Sequence, residues 1–307
     1  MKRILFALLS IVLVLTACAP AAAPAATSNP EIALTDGFGR SVTLAAPAQK
    51  IVSLAPSNTE ILYAIGAGSE IIGRDDLSDF PPEVTNLPSV GGSMGNYSME
   101  EIAKLQPDLV LASELNTPEQ IKSLEDLNIP VFVLTNPKKF EDLYQNLETV
   151  GTLSGHKSEA AKLSADLQVR QKAVTDALAG VTDRPKVFYE LDASDPAKPY
   201  TVGANTFIDI LITMAGGANI GASLQGDYPQ ISQEELLTQN PNIILLGDAA
   251  YGTTPEQVAA RVGWSAIDAV QNDQVFAVDD NLVSRPGPRL VDGLETLARL
   301  IHPEAFK

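Results

Sequence analysis

Two histidines, His156 and His302, and one cysteine, Cys18, are the whole supply of imidazole and thiol in the chain. Nucleophilic catalysis needs a nucleophile, a base and an orienting group within reach of one another, and neither histidine falls in a loop that follows a predicted strand. There is no Gly-x-x-x-x-Gly-Lys phosphate loop and no His-Glu-x-x-His helix. A lone cysteine forbids an intramolecular disulfide, and so few soft ligands leave no set for a structural zinc. No catalytic or metal-ligating residue is assigned, although carboxylate-only acid–base chemistry stays open at this point.

The acidic side chains are more informative. Ser98-Met99-Glu100-Glu101-Ile102 precedes Pro107-Asp108-Leu109-Val110-Leu111, and 134 residues later Ser232-Gln233-Glu234-Glu235-Leu236 precedes Pro241-Asn242-Ile243-Ile244-Leu245. In each copy the serine and the glutamate three residues on are predicted to form a capping box, so Glu101 and Glu235 have local work. Glu100 and Glu234 lie one residue earlier, where no cap requires them. They read either as helix-dipole decoration or as matched negative knobs that dock on basic sockets of a partner.

Those residues sit in a chain with a net charge of −17 and 45% apolar residues. That charge repels phosphate backbones, and no basic stripe offsets it, so nucleic acid is excluded as an expected partner. Lys2 and Arg3 precede an apolar run from Ile4 to Leu15, too short to span a bilayer as a helix but of signal-peptide length. It ends in Leu15-Thr16-Ala17-Cys18, which resembles the lipobox of bacterial lipoproteins, in which Cys18 would carry lipid. Ala19 to Pro30, rich in Ala and Pro, reads as a tether. A lipid anchor with a spacer places the folded part on the outer face of the cytoplasmic membrane.

Ile51-Val52-Ser53-Leu54, Leu109-Val110-Leu111-Ala112 and Val131-Phe132-Val133-Leu134 are predicted strands buried on both faces, alternating with helices over Asn58–Ala67, Met99–Gln106 and Pro118–Leu127. Strands at Lys186–Leu191, Ile243–Leu246 and Val275–Val278 repeat the plan, with helices near Thr206–Ala215, Ser232–Gln239, Thr254–Val262 and Pro288–Leu300. Between the halves, Ser158–Ala179 lacks Pro and Gly and carries Ala160, Leu163, Leu167, Val174 and Leu178 at near-helical spacing. The fold class is α/β: two lobes with mostly parallel sheets bridged by one long helix. The expected division is a signal peptide (1–17), a lipid-anchored tether and lead-in (18–47), an N-terminal lobe (48–152), the interlobe helix (153–182) and a C-terminal lobe (183–307).

The lipobox, the tether, Ile51-Val52-Ser53-Leu54-Ala55-Pro56-Ser57-Asn58-Thr59-Glu60, Asp79-Phe80-Pro81-Pro82, the Pro107-Asp108-Leu109-Val110 strand entry and Ser284-Arg285-Pro286-Gly287-Pro288-Arg289 together resemble a substrate-binding lipoprotein of the iron-siderophore and cobalamin family of ABC importers. The resemblance covers roughly residues 48 to 303. It implies a ligand cleft between two lobes held by a rigid helix, little hinge motion, and one exposed glutamate per lobe meeting arginines of an ABC permease; Glu100 and Glu234 match those positions. It also implies a monomer with no catalysis and no cofactor of its own, whose ligand is a metal chelate: a ferric siderophore, cobalamin or haem. Ligands of open α/β sheets collect outside the carboxyl ends of strands. The loops there hold Ser57, Asn58, Leu77, Ser93, Met94, Ser113, Tyr200, Asn205, Tyr228, Asn281 and Arg285. The tyrosines offer amphipathic contact and Arg285 a partner for a ligand carboxylate or phosphate. Leu77, Ser93 and Ser113 depart from the aromatics that cobalamin-binding members present against the corrin ring.

Overall fold

The computed structural model of the chain describes residues 31–307, so the predicted signal peptide, Cys18 and the tether to Pro30 lie outside the described residues. The lead-in is more ordered than expected. β1 (Ile32–Thr35) and β2 (Ser41–Leu44) pair antiparallel, and alternation along β2 turns Val42 and Leu44 inward.

The first lobe runs β3 (Ile51–Ser53), α1 (Pro56–Ala64), β4 (Ile71–Arg74), α2 (Met99–Leu105), β5 (Leu109–Ser113), α3 (Pro118–Glu125) and β6 (Val131–Leu134). Its sheet is all parallel in the order β4-β3-β5-β6. α4 (Phe140–Ser154) and α5 (Lys157–Leu178) then lead to the second lobe. That lobe runs β7 (Lys186–Glu190), α6 (Phe207–Met214), β8 (Ala218–Asn219), α7 (Gln233–Gln239), β9 (Ile243–Leu246), α8 (Pro255–Ala259), α9 (Asp268–Gln271), β10 (Val275–Ala277), α10 (Asn281–Ser284) and α11 (Leu290–Ile301). Its sheet, again all parallel, has the order β8-β7-β9-β10, so the two lobes are wound alike.

Side chains alternate across each strand, and the two faces go to different cores. Val52, Val110 and Val133 face Ile102 and Ile121 in one outer cluster; Phe188, Ile244 and Leu246 face Leu236 and Trp264 in another. The remaining faces, with Ile51, Leu111 and Phe132 from one sheet and Val187, Tyr189 and Leu245 from the other, share a single cluster with Leu147 of α4, Leu167 of α5 and Leu294 of α11. A continuous core through both lobes resists hinge motion, because opening the lobes would expose it to water.

The 22 residues of α5 extend about 33 Å and are fixed on both sides. Gly151 of α4 is required by the approach of α5, since a Cβ there would lie 2.5 Å from the Ala160 Cβ. Tyr144 donates to Gln171 at 2.6 Å, and Arg170 reaches Glu295 of α11 at 2.8 and 2.9 Å.

Candidate functional site

The strand order reverses beside β3 in one lobe and β7 in the other, and the loops at the carboxyl ends of both sheets carry seven of the eleven large apolar side chains that the described residues leave in water. Leu77 and Phe80 follow β4, Met94 lies in the same long connection, and Leu115 follows β5; Tyr200, Tyr228 and Tyr251 follow β7, β8 and β9. Met94 is 98% and Tyr251 91% exposed. Leaving such surface wet costs about 25 cal/mol per Å² relative to burying it, and its gathering on one edge marks a binding face.

Local bonding holds these groups out. Tyr200 is pinned on both sides: its N–H donates to Asp192 O at 2.7 Å, its carbonyl accepts from Leu191 N, and the next residue donates to Pro229 O. Met94 has φ 55° in a turn whose Gly92, at φ 111°, could take no Cβ without meeting the Tyr97 ring at 2.8 Å. Ser93 in that turn donates to Asp76 at 2.8 Å, and with Ser89 it keeps the Asp76 carboxyl below its ordinary range. Gly91-Gly92-Ser93-Met94-Gly95 has the spacing of a hydrolase nucleophile elbow, which the sequence reading counted as absent, but Ser93 is bonded to a carboxylate rather than a histidine. His156 lies against Glu70 at 3.3 Å, and His302 against Gly216 O and Glu304.

Several predicted site residues have structural work instead. Asn58 is buried and its Nδ2 donates to Leu111 O and Ala112 O at 3.1 and 3.0 Å, stitching α1 to β5. Ser57 is buried; Ser113 is buried and its Oγ accepts from Leu115 N. Asn281 is half-buried at the start of α10.

Arg285 departs furthest from expectation. Its Nη1 is bonded to Asp79 and lies 3.5 Å from Glu60, so two carboxylates of the other lobe already occupy it. Arg289 donates to the buried Glu60 at 2.9 and 2.6 Å and stacks on Phe80, 3.9 Å from the ring centroid. The hydrogen bond from Arg285 pulls the Asp79 carboxyl below its ordinary value. The cluster latches the lobes at the β4 end of the cleft and leaves neither guanidinium free for a ligand. Sequence reasoning missed Glu60, Phe80, Leu115 and Tyr251 as cleft residues; a large apolar side chain just past a strand's carboxyl end was the available signal for the last three.

The two corner glutamates stand where the repeat put them. Ser98 and Ser232 accept from Glu101 N and Glu235 N at 3.3 and 3.1 Å. Only half of each predicted capping box forms, because Glu101 turns to Lys104 and Glu235 accepts from Gln239. Complete boxes occur in a repeat that sequence reading missed, Thr117-Pro118-Glu119-Gln120 and Thr254-Pro255-Glu256-Gln257. Glu100 and Glu234 are exposed; Glu100 pairs with Lys104 at 2.9 Å, whereas Glu234 has no cationic partner among the described residues.

Two cavities open on the cleft: one of about 170 Å³ lined from both lobes by residues including Glu114, Lys138, Asn205 and Asp227, and an apolar slot of about 220 Å³ formed by Leu191, Phe207, Ile208, Tyr228, Val283 and Ser284. A larger cavity, about 400 Å³ beside Leu178 and Met214, lies away from any strand's carboxyl end.

Comparison with known proteins agrees with this geometry. The chain is 32% identical over 279 residues, 90% of its length and 87% of the relative's, to the ABC transporter substrate-binding lipoprotein YvrC of Bacillus subtilis. The vitamin B12 binding protein BtuF of Vibrio cholerae superposes with a TM-score of 0.72 at 28% identity, covering 85% of this chain and 99% of that one. The haem-binding protein RhuT of Roseiflexus superposes at 0.75 and 26%, covering 84% and 99%. The periplasmic binding protein family matches residues 51–282, and the chain belongs to that family of solute-binding proteins, which serve ABC importers of vitamin B12, haem or iron chelates.

Proposed function

We propose that the chain captures a corrinoid of the cobalamin type outside the cytoplasm and hands it to an ABC permease. The frame does not select the ligand, since a vitamin B12 binder and a haem binder share it; the cleft's charge favours a neutral one. Its walls are aliphatic and aromatic on both lobes, and Glu60 and Asp79 neutralise its two guanidiniums. That neutralisation is the observation that carries the reading. Haem brings two propionates and ferric catecholates are highly anionic, and here they find both arginines occupied and the cleft's Lys138 outnumbered by Glu114 and Asp227; a flat, carboxamide-rich macrocycle asks for apolar contact and uncharged hydrogen bonds. Capture needs no chemistry from the protein, only an unchanged ligand held until docking.

Glu100 and Glu234, at equivalent helix starts of two lobes wound alike, are the docking knobs for arginines of the permease, and Cys18 is the site of the lipid anchor. The ligand is tested by calorimetric titration with cyanocobalamin, haem, a neutral ferric trihydroxamate and an anionic ferric triscatecholate. Submicromolar cyanocobalamin binding, with anionic chelates weaker by at least about tenfold, the factor that 1.4 kcal/mol gives, is expected. Tighter binding of haem or the catecholate would overturn the reading. Trp264 is buried against Phe188 in the second lobe's outer core, so heat is a more direct readout than its fluorescence.

A further inference from the structure

The seam between the lobes has two unlike ends. Beside β4 every charge that crosses it is paired, through Glu60, Asp79, Arg285 and Arg289. Toward β6 and β8, starting at Ser284 and Pro286 on either side of Arg285, lies the cavity of about 170 Å³ that both lobes line, and there the charged and amide side chains are uncommitted. The first lobe supplies Glu114, Asn136 and Lys138, and the second Asn205 and Asp227. None of these five side chains has a hydrogen-bond or ion-pair partner among the described residues, and no ion pair joins the lobes at this end. Ser284 also lines the cavity. Its one hydrogen goes to Asp280, whose Oδ2 is 2.7 Å away and whose Oδ1 is held by Tyr189 at 2.7 Å, so Ser284 offers the cavity only a lone pair.

We propose that this end of the seam is a subsite for an uncharged hydrogen-bonding arm of the ligand, a carboxamide side chain; it rests on the corrinoid reading above. The lining holds two carboxylates against one ammonium, so a carboxylate arm meets net repulsion, and a bare cationic arm meets Lys138. A carboxamide satisfies both kinds of group. Its N–H bonds go to Glu114, Asp227 or the Ser284 oxygen, and its carbonyl accepts from Lys138 or from the amides of Asn136 and Asn205. The apolar slot shares Phe207, Tyr228 and Ser284 with the cavity, which sets a hydrophobic part of the same ligand beside the polar arm. An arm bound here bridges the lobes where no ion pair does, beside the Phe140–Phe207 contact.

The test compares cyanocobalamin with its monocarboxylic acids, in each of which one side-chain amide is hydrolysed, by calorimetry on the whole chain and on variants shown to fold by circular dichroism. Wild type is expected to lose about tenfold or more in affinity, 1.4 kcal/mol, for at least one acid. In the Glu114→Gln/Asp227→Asn double variant that penalty shrinks to within about threefold, and Asn136→Ala and Lys138→Met each weaken cyanocobalamin several-fold. If these variants bind like wild type and every acid binds like the amide, while Tyr200→Ala on the aromatic wall weakens binding, the subsite is overturned and the cleft assignment stands. If wild type fails to bind cyanocobalamin, the corrinoid reading falls and the subsite with it.

Discussion

Glu60→Gln removes the centre of the interlobe latch while preserving its shape. In the native protein the Glu60 side chain is 2% exposed, accepts from Arg289 at 2.9 and 2.6 Å, and lies 3.5 Å from Arg285. Breaking a buried ion pair from one side costs about 3–5 kcal/mol, because the other charge is stranded. Two observations reduce that figure here. The guanidiniums of Arg285 and Arg289 are 15% and 16% exposed, so water reaches them, and Gln retains one acceptor while Arg285 keeps Asp79. A loss of about 2–3 kcal/mol is expected, or roughly 4–12 °C in Tm for a chain of this class.

The assay is thermal unfolding by circular dichroism at neutral pH and physiological salt, with Arg289→Met and the double variant completing a cycle. Strong non-additivity is expected, since either single change removes the same pair, whereas a loss local to α1 would add to that of Arg289→Met. A Tm for Glu60→Gln within about 1 °C of wild type, against the several degrees that 2 kcal/mol gives, or strict additivity, would refute the latch.

Other consequences follow from the same contacts. Asp79→Asn releases Arg285 on one side, so haem and anionic ferric catecholates should gain up to about tenfold in calorimetric affinity while cyanocobalamin changes little; no gain for anions would show that Arg285 stays neutralised by Glu60 alone. Burial raises the Glu190 carboxyl, Arg261 opposes that, and nearby Asp248 adds to it; the folded state therefore holds a proton that the unfolded chain has lost, and stability falls as pH rises from 4.5, the ordinary glutamate value, through the raised folded pKa. Asp248→Asn removes part of the push, so the slope of Tm against pH in that window should flatten. Gly151→Ala drives a Cβ to within 2.5 Å of the Ala160 Cβ, and α4 and α5 can separate only by disturbing the shared core, so a loss of about 1–3 kcal/mol is expected in denaturant titration. Glu100→Ala and Glu234→Ala should each reduce ligand uptake by permease-containing vesicles while leaving calorimetric affinity unchanged; normal uptake by both would remove the docking assignment.

The sequence made the lobes legible wherever burial was total. Val131–Leu134 and Ile243–Leu246 are apolar at every position and buried at every position, and α5 lies within one residue of its predicted ends because nothing in it interrupts a helix. β4 and β8 were not seen: the first is four residues with Gly73 inside it, where a Cβ would meet Leu105 at 2.5 Å, and the second is two residues long. Neither offers a period to read. In the candidate site, Leu77, Met94, Tyr200 and Tyr228 lie exposed after a strand, where the sequence reading expected them. The pairing of Arg285 was not legible because its carboxylate partners stand more than 200 residues away, and residue type alone does not tell a pair from a free charge.

The lobes repeat their frame but not their seam, and the difference separates the proposed docking corners from the proposed ligand cleft. Both sheets have one strand order. Asp108 and Asn242 each accept, through the side chain, a backbone N–H at the entrance to β3 and β7, and Gln106 and Asn240 both end their helices in the left-handed conformation. These repeated devices fix α2 and α7 against their strands, which is why Glu100 and Glu234 occupy equivalent corners and suit a partner offering paired sockets. The groups along the seam have no such counterparts: Glu60 with the two arginines closes one end of it, and Lys138 with Asp227 lines the other. The seam can therefore vary without moving the corner glutamates, because the devices that set those corners lie at the opposite ends of the strands.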